Sequence, residues 1–359
     1  MIDARESGTS TGRYIDKLIE YLHKLKPAHE IVILTKQPRL GFMKTVAPGF
    51  QVVETPYKEF TFGEQLGLKK QIKSLKPDLM HFGKVEQPIL YMGRVVTTMH
   101  DLTTIRFKNP SKNAVVFTFK QQIYKLVNKI AARKSRAIIT PTEFVKNDVV
   151  SFTHINPDKI TVTLESADAI AGPASPVAAL EGKQFIMYIG RPMKHKNLES
   201  LIDAFKIMQA TNPDVYLVLA GKKDVLYEAH EQRAKEKGIK NIIFTGFISD
   251  SELKWLYQNT ACYVFPSLSE GFGLPGLEAM IHGAPVASSN ATCLPEVYGD
   301  AADYFDPKDS RGMADVVLNI INNNAHANEL KQRGKIQVGK YSWERMAQQT
   351  LEVYDRSLL

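Results

Sequence analysis

Two glutamates eight residues apart, Glu270 and Glu278, bracket the stretch Ser269-Glu270-Gly271-Phe272-Gly273-Leu274-Pro275-Gly276-Leu277-Glu278-Ala279-Met280, directly after an apolar run that ends at Phe265-Pro266. The clustered glycines predict a sharp strand-to-helix turn, with the helix opening at Gly276. Such a turn presents the backbone N–H groups of Gly271, Phe272, Gly273 and Leu274 near a helix N-terminus, which suits a phosphate or the hydroxyls of a sugar. Glu278, in the first turns of that helix, has two carboxylate oxygens with which to accept both hydroxyls of one ribose. The simpler reading is a turn whose glycines serve geometry and whose glutamates are solvated; the loop by itself leaves that reading ahead.

A second group of residues sits in Gly190-Arg191-Pro192-Met193-Lys194-His195-Lys196-Asn197, between an apolar run and a segment of helical period. Arg191 offers a planar fork for phosphate oxygens and Lys196 a compact charge, both beside a helix amino end. Together they can neutralise a diphosphate leaving group. A basic turn on a solvated surface is the plain alternative, and the position at a strand's carboxyl end favours the functional one.

The elements that must hold these residues follow a regular rhythm. Short β-branched runs alternate with amphipathic segments, the signature of parallel sheets with crossover helices. The first half predicts strands at 31–34, 79–82, 95–99, 137–140 and 160–164, and helices over 12–25 and 117–136. The first helix carries an apolar stripe of Tyr14, Ile15, Leu18, Ile19 and Leu22. The second carries Phe119, Ile123, Leu126, Val127 and Ile130, and both stripes are expected to pack on the sheet. Gly172, Pro173, Pro176 and Gly182 interrupt the rhythm, after which strands are predicted at 185–189, 215–220, 242–244, 262–265 and 286–288. The fold class is therefore α/β, with two doubly wound Rossmann-like domains: 1–165, a linker over 166–183, and 184–340. Residues 341–359 are expected to form a helix packing back towards the first domain. Ligands in open α/β sheets bind at the carboxyl ends of strands, so the crevice between the domains is the expected site.

Composition narrows the function classes. With 44% hydrophobic and 23% charged residues, the chain is that of a globular protein. Cys262 and Cys293 are far apart and form no CxxC or Cys/His cluster, so neither a zinc site nor a disulfide framework is expected. The amino end, Met1-Ile2-Asp3-Ala4-Arg5-Glu6, lacks an apolar signal core, and no run approaches the roughly 20 residues of a membrane span. A cytoplasmic protein is expected. Its charge is uneven: residues 1–180 hold 26 Lys+Arg against 16 Asp+Glu, which leaves 46−26=20 against 38−16=22 for the remainder. A large anionic partner should meet the first half. No nucleic-acid partner is expected. A nicotinamide dehydrogenase, which would also have Rossmann domains, is disfavoured.

The segments GRPMKHKNLESLIDAF, FTGFISDSEL and PSLSEGFGLPGLEAM, followed by GAPVASSNATCLPEVYGDAADYFDP, resemble glycosyltransferase family 4. The E-x7-E spacing of that family matches Glu270 and Glu278. In the first half the resemblance is carried by Ile2-Asp3-Ala4-Arg5, Thr11-Gly12-Arg13-Tyr14, His100-Asp101 and Ile138-Ile139-Thr140-Pro141-Thr142-Glu143-Phe144. It implies a GT-B fold and a retaining transfer of a hexose from a nucleotide diphosphate sugar, of the GDP-mannose or UDP-glucose type, to a glycan or glycolipid. It also implies that no metal and no cofactor beyond that co-substrate is needed, in keeping with the lack of a DxD motif. By the same resemblance Glu270 contacts donor-sugar hydroxyls, Glu278 the ribose, Arg191 and Lys196 the diphosphate. Gly12 lets backbone approach the donor phosphates, Ile248 borders the base, and His100 stands beside the transferred sugar as a catalytic residue. A nucleotide-sugar-binding partner without turnover, or an epimerase on the same fold, are the competing readings.

Three departures from the family stand out. Only Met1-Ile2 precede Asp3, the loop Gly8-Thr9-Ser10-Thr11-Gly12 lacks a glycine pair, and Val162-Thr163-Leu164-Glu165-Ser166-Ala167-Asp168 replaces the usual asparagine-glycine ending. A last feature is charge: residues 102–142 hold nine Lys or Arg and no acid. Lys125, Lys129, Arg133 and Arg136 are read as one basic helix face opposite the apolar stripe. Such a face predicts either plain solvation or peripheral contact with an anionic membrane, at its inner face, near a lipid-borne acceptor.

Overall fold

The computed structural model describes residues 1–9, 11–107 and 114–359, with backbone alone for 114–117 and 119. Two compact units form. Among the described residues, one holds 1–106, 114–165 and 342–359, the other 107 and 166–341.

The first unit is built on a parallel seven-stranded sheet. In chain order its strands are β1 (Ile2–Asp3), β2 (Val32–Thr35), β3 (Gln51–Glu54), β4 (Met80–Phe82), β5 (Val95–Thr98), β6 (Ala137–Thr140) and β7 (Ile160–Val162). Their order across the sheet is β3-β2-β1-β4-β5-β6-β7. The central strands are buried on both faces, which is why β5 reads as an unbroken Val-Val-Thr-Thr. Helix Gly12–Leu25 buries Tyr14, Ile15, Leu18, Ile19 and Leu22, the stripe its periodicity predicts. Helix Trp343–Leu358 packs on that helix and buries Trp343, Met346, Ala347, Val353 and Tyr354.

The long helix departs from the sequence reading. It spans Ala114–Lys134, so Arg136 lies beyond its end and donates its backbone N–H to Val95 O at 2.8 Å. Ile123 and Leu126 are 42% and 58% exposed and do not pack on the sheet, while Asn128, Ala131 and Ala132 are fully buried. The physical reason is size: two alanines and an asparagine that folds its amide back onto Tyr124 O let the helix lie close to the sheet, turning the larger aliphatics outward. The side chain of Phe119 lies outside the described residues. The expected basic face is also broken up. Lys129 sits over the Phe152 ring, and only Lys125, Lys129 and Arg133 of the four cations are on the helix.

The second unit carries β8 (Phe185–Ile189), β9 (Tyr216–Ala220), β10 (Ile242–Gly246), β11 (Cys262–Phe265), β12 (Val286–Ser289) and β13 (Ala302–Phe305). They form a parallel sheet in the order β10-β9-β8-β11-β12-β13, whose order reverses direction between β8 and β11. That reversal is the topological switch point at which open α/β sheets bind ligands. The loops after β8 and β11 flank it.

Candidate active site

In the second unit, the loop after β11 leads into helix Leu274–Ile281, which opens two residues earlier than the sequence suggests. Pro275 occupies its first turn, where a missing N–H costs nothing. Gly273 is the N-cap at φ +102°, a conformation that L side chains rarely adopt. Gly276 falls inside the helix for a different reason: a Cβ there would come 2.3 Å from the Tyr298 hydroxyl oxygen. Tyr298, fully buried in helix Leu294–Tyr298, donates to Gly273 O at 2.6 Å and so props the turn from behind.

Glu270 is fixed at its main chain by a second loop. Its N–H donates to Thr292 Oγ1 at 3.1 Å, and Cys293 Sγ donates to its carbonyl at 3.3 Å. Its side chain meets Lys196, whose Nζ donates to Oε1 at 2.6 Å. The Phe272 ring is buried edge-on against Tyr341 at 5.5 Å between centroids, which leaves the main chain as what residue 272 can offer a ligand. Leu274 and Glu278 are half-buried, and Glu278 Oε2 accepts from Tyr257 at 3.4 Å.

Lys196 ends the short turn Lys194–Lys196. Asn197 follows in the left-handed region at φ +60°, and its amide donates to Pro266 O at 3.0 Å and Pro307 O at 2.7 Å. Leu268 N–H in turn donates to His195 O at 2.7 Å. These bonds stitch the loop after β8 to those after β11 and β13, and they place Lys196 on Glu270. Arg191 stands apart, 65% exposed at its side chain, with Nε 3.1 Å from Asp224 Oδ2. The Tyr227 hydroxyl lies 2.6 Å from Gly190 O and 2.9 Å from Ala220 O and shares its one hydrogen between them, closing the ends of β8 and β9 against one another. Ile248 is half-buried in the turn between β10 and helix Asp250–Asn259, beside an exposed Phe247.

In the first unit, Gly12 is buried where any Cβ would come 1.9 Å from Glu6 O, so glycine is required by the close approach itself. His100 follows β5. Its Nε2 lies 3.0 Å from Gly83 O, its Nδ1 lies 3.3 Å from Glu165 Oε1, and Tyr14 packs edge-on to the ring at 4.9 Å. Burial works against a charge on this imidazole, yet the hydrogen bond and charge of Glu165, with the Gly83 carbonyl, raise it above its ordinary value. His100 also lines a pocket with Arg5, Thr11 and Lys84 that has only about 10 Å³ of room. Behind that pocket Arg5 is locked to Asp3 at 2.7 Å and Glu64 at 2.9 Å, all three nearly inaccessible to solvent.

An apolar groove of about 780 Å³ opens elsewhere on this unit, lined by Phe60, Phe62, Ile89, Ile123, Tyr124 and Val127 with Lys120 at its edge. Phe62 is 87% exposed. Sequence reading misses this groove, because it treats Ile123 and Val127 as core. It also misses Tyr298, Asn197 and Thr292, which support the site from distant positions; asparagine directly before a helix was the one available signal. Among the described residues, no group of three or more His, Cys, Asp or Glu side chains is placed to hold a metal ion, and no helix is long and apolar enough to cross a membrane.

Known proteins resemble this chain in sequence and in fold. A family model described as Glycosyl transferases group 1 matches residues 175–337, and one described as Glycosyltransferase Family 4 matches residues 11–164. The chain is 29% identical over 276 residues to O-antigen chain mannosyltransferase B of Escherichia coli, covering 73% of this chain and 70% of that protein. It is 33% identical over 246 residues to the serotype-specific mannosyltransferase WbdA of Escherichia coli, covering 65% of this chain but only 30% of WbdA. The structure of Anabaena Alr3699/HepE in complex with UDP and glucose superposes with a TM-score of 0.75 at 16% identity, over 99% of each chain. That last likeness concerns the fold alone.

Proposed function

Since the chain belongs to the group 1 and family 4 glycosyltransferases and has their GT-B fold, we propose that it moves a hexose from a nucleotide diphosphate sugar to a glycan or glycolipid, with retention of configuration and without a metal ion. The observation that carries this reading is the convergence of Glu270, Lys196 and the N-terminus of helix Leu274–Ile281 at the switch point of the second sheet. Lys196, Arg191 and the backbone N–H groups of Gly271, Phe272, Gly273 and Leu274 meet the charge of the departing diphosphate. Glu278 accepts the ribose hydroxyls, and Ile248 borders the base. Glu270 orients the sugar and offsets positive charge at its anomeric carbon. On this reading a leaving-group oxygen takes the acceptor proton, so no protein nucleophile is required.

GDP-mannose is the proposed donor, because two of the chain's relatives are named mannosyltransferases; UDP-glucose is the alternative. For the acceptor, the apolar groove and Lys120 favour a lipid-borne saccharide, whose chain would lie along Phe60, Phe62 and Ile123. Lys125, Lys129, Arg133 and Arg136 would then lie near an anionic leaflet. A screen of donor hydrolysis across GDP, UDP and ADP sugars tests the core of this reading. Tight nucleotide-sugar binding with no hydrolysis or transfer would favour a non-catalytic binding partner, and interconversion of the free sugars an epimerase.

A further inference from the structure

Two histidines of the first unit, His81 buried and His100 half-buried, meet opposite kinds of partner. His81 lies between two hydroxyls, with Nδ1 2.6 Å from Tyr354 Oη and Nε2 2.9 Å from Thr98 Oγ1. A hydroxyl can donate or accept, so a neutral ring with one N–H satisfies both bonds. His100 lies between Gly83 O at 3.0 Å and a Glu165 carboxylate oxygen at 3.3 Å. A carbonyl never donates, and an ionised carboxylate only accepts. With Glu165 ionised, both ring nitrogens of His100 then carry hydrogen.

We propose that Glu165 is a positioning residue that holds His100 as an imidazolium with both N–H bonds donated to the protein, so that His100 serves the reaction as a fixed cation and not as an acid or a base. Its relevance to transfer rests on the function proposed above; the assignment of its charge does not. Other charged groups near the ring are already paired. Arg5 is held by Asp3 and Glu64, and Lys84 lies 2.7 Å from Glu6 and 3.7 Å from Glu86. Asp101 adds negative charge from the next position, while the Tyr14 hydroxyl bonds to Thr98 and His81 stands behind it, neutral. Glu165 is the carboxylate that touches the ring, and its side chain is only 7% exposed.

With both nitrogens committed, His100 can touch a substrate only through its ring carbons or main chain. That removes it as a proton carrier and leaves the proton of the acceptor to the leaving group. Side-chain nitrogen NMR of ¹⁵N-histidine protein, from acid to alkaline pH, tests the assignment; a His100→Gln variant identifies the signal. The expected result is an imidazolium pattern for His100 that persists above neutral pH. In Glu165→Gln its midpoint falls by about one pH unit or more, and in Glu165→Asp it is largely retained. A neutral single tautomer in the parent at pH 7, or an unchanged midpoint in Glu165→Gln, overturns the proposal. The parent spectrum alone decides the charge if the variant does not fold. Because these spectra need no donor, absence of transferase activity would sink the proposed function and leave this measurement standing. Where transfer is seen, the alkaline limb of kcat/KM moves to lower pH in Glu165→Gln by the same shift.

Discussion

Lys196 Nζ lies 2.6 Å from Glu270 Oε1, joining two loops whose residues are 74 positions apart in the chain. The side chains are 21% and 13% exposed, so this is a partly desolvated pair at a strand-end crevice and not a surface ion pair. Each member holds the other in place. A diphosphate arriving at Lys196 would compete with Glu270 for the ammonium, freeing the carboxylate to engage the sugar as the leaving group is clamped.

Removing either member should therefore affect different steps from removing the outlying groups. Glu270→Ala and Lys196→Ala are each expected to lower kcat by roughly 10²–10³, as loss of a charge aimed at the transition state does. Arg191→Ala and Glu278→Gln should instead weaken nucleotide binding by about tenfold, a loss that calorimetry with GDP and UDP would detect. Parent-like nucleotide affinity in both of the latter would mean the donor is misplaced.

The loop that carries Glu270 depends on a residue no motif points to. Tyr298→Phe deletes the bond to Gly273 O and is expected to cost about 1–3 kcal/mol, because it leaves a buried acceptor unpaired. Gly276→Ala brings a methyl against the same phenol and should destabilise at least as much. Urea denaturation of both variants checks this. Stability equal to the parent's in Gly276→Ala would show that Tyr298 yields freely.

Arg5 bridges two carboxylates in the first unit, with Asp3 at 2.7 Å and Glu64 at 2.9 Å. Arg5→Met leaves two negative charges facing each other out of water, and a loss of about 3–5 kcal/mol is expected. A triple variant that also replaces Asp3 by Asn and Glu64 by Gln should recover part of that loss in the same denaturation assay. No recovery would mean that packing, and not charge, is what Arg5 contributes.

Much of this was legible in the residues themselves. The strand-to-helix turn between Glu270 and Glu278 is legible because its glycines are local, though the loop by itself left a plain turn ahead, and the stripe on Gly12–Leu25 appears as its period predicts. The edge strands β3 and β13 are not legible, since Gln51–Glu54 and Ala302–Phe305 are partly exposed and mix polar with apolar residues. Helix Ala114–Lys134 misleads for the opposite reason: its conspicuous aliphatics Ile123 and Leu126 face outward, and its contact with the sheet is made by Ala131 and Ala132, which carry little periodic signal. Glu165 looks like a mere departure until its carboxylate is seen on His100.

Burial and the partners of His81 predict acid sensitivity. Burial pushes its imidazole down to about 3, below the roughly 6.5 of an unfolded histidine. Between those values the unfolded chain binds the extra proton, so stability falls as pH drops from about 6.5 towards 3, by up to about 1.4 kcal/mol per pH unit from this group. The raised His100 acts in the other window: its stabilisation is full below about 6.5 and fades as pH rises through its folded value. Thermal unfolding from pH 4 to 9 should show a shallower acid limb in His81→Asn and a loss confined to the low-pH side in Glu165→Gln. An acid limb unchanged in His81→Asn would contradict the buried, neutral assignment.

In the proposed function the charges around Glu270 and Lys196 carry a metal-free, retaining hexosyl transfer. Transfer from GDP-mannose or UDP-glucose to a saccharide acceptor in excess EDTA, with the anomeric configuration of the product read by proton NMR, tests it most directly. The expected result is undiminished turnover giving a product of the donor's own α configuration, and loss of that turnover in Lys196→Ala. An inverted product, or activity that disappears in EDTA and returns with Mg²⁺ or Mn²⁺, would contradict it.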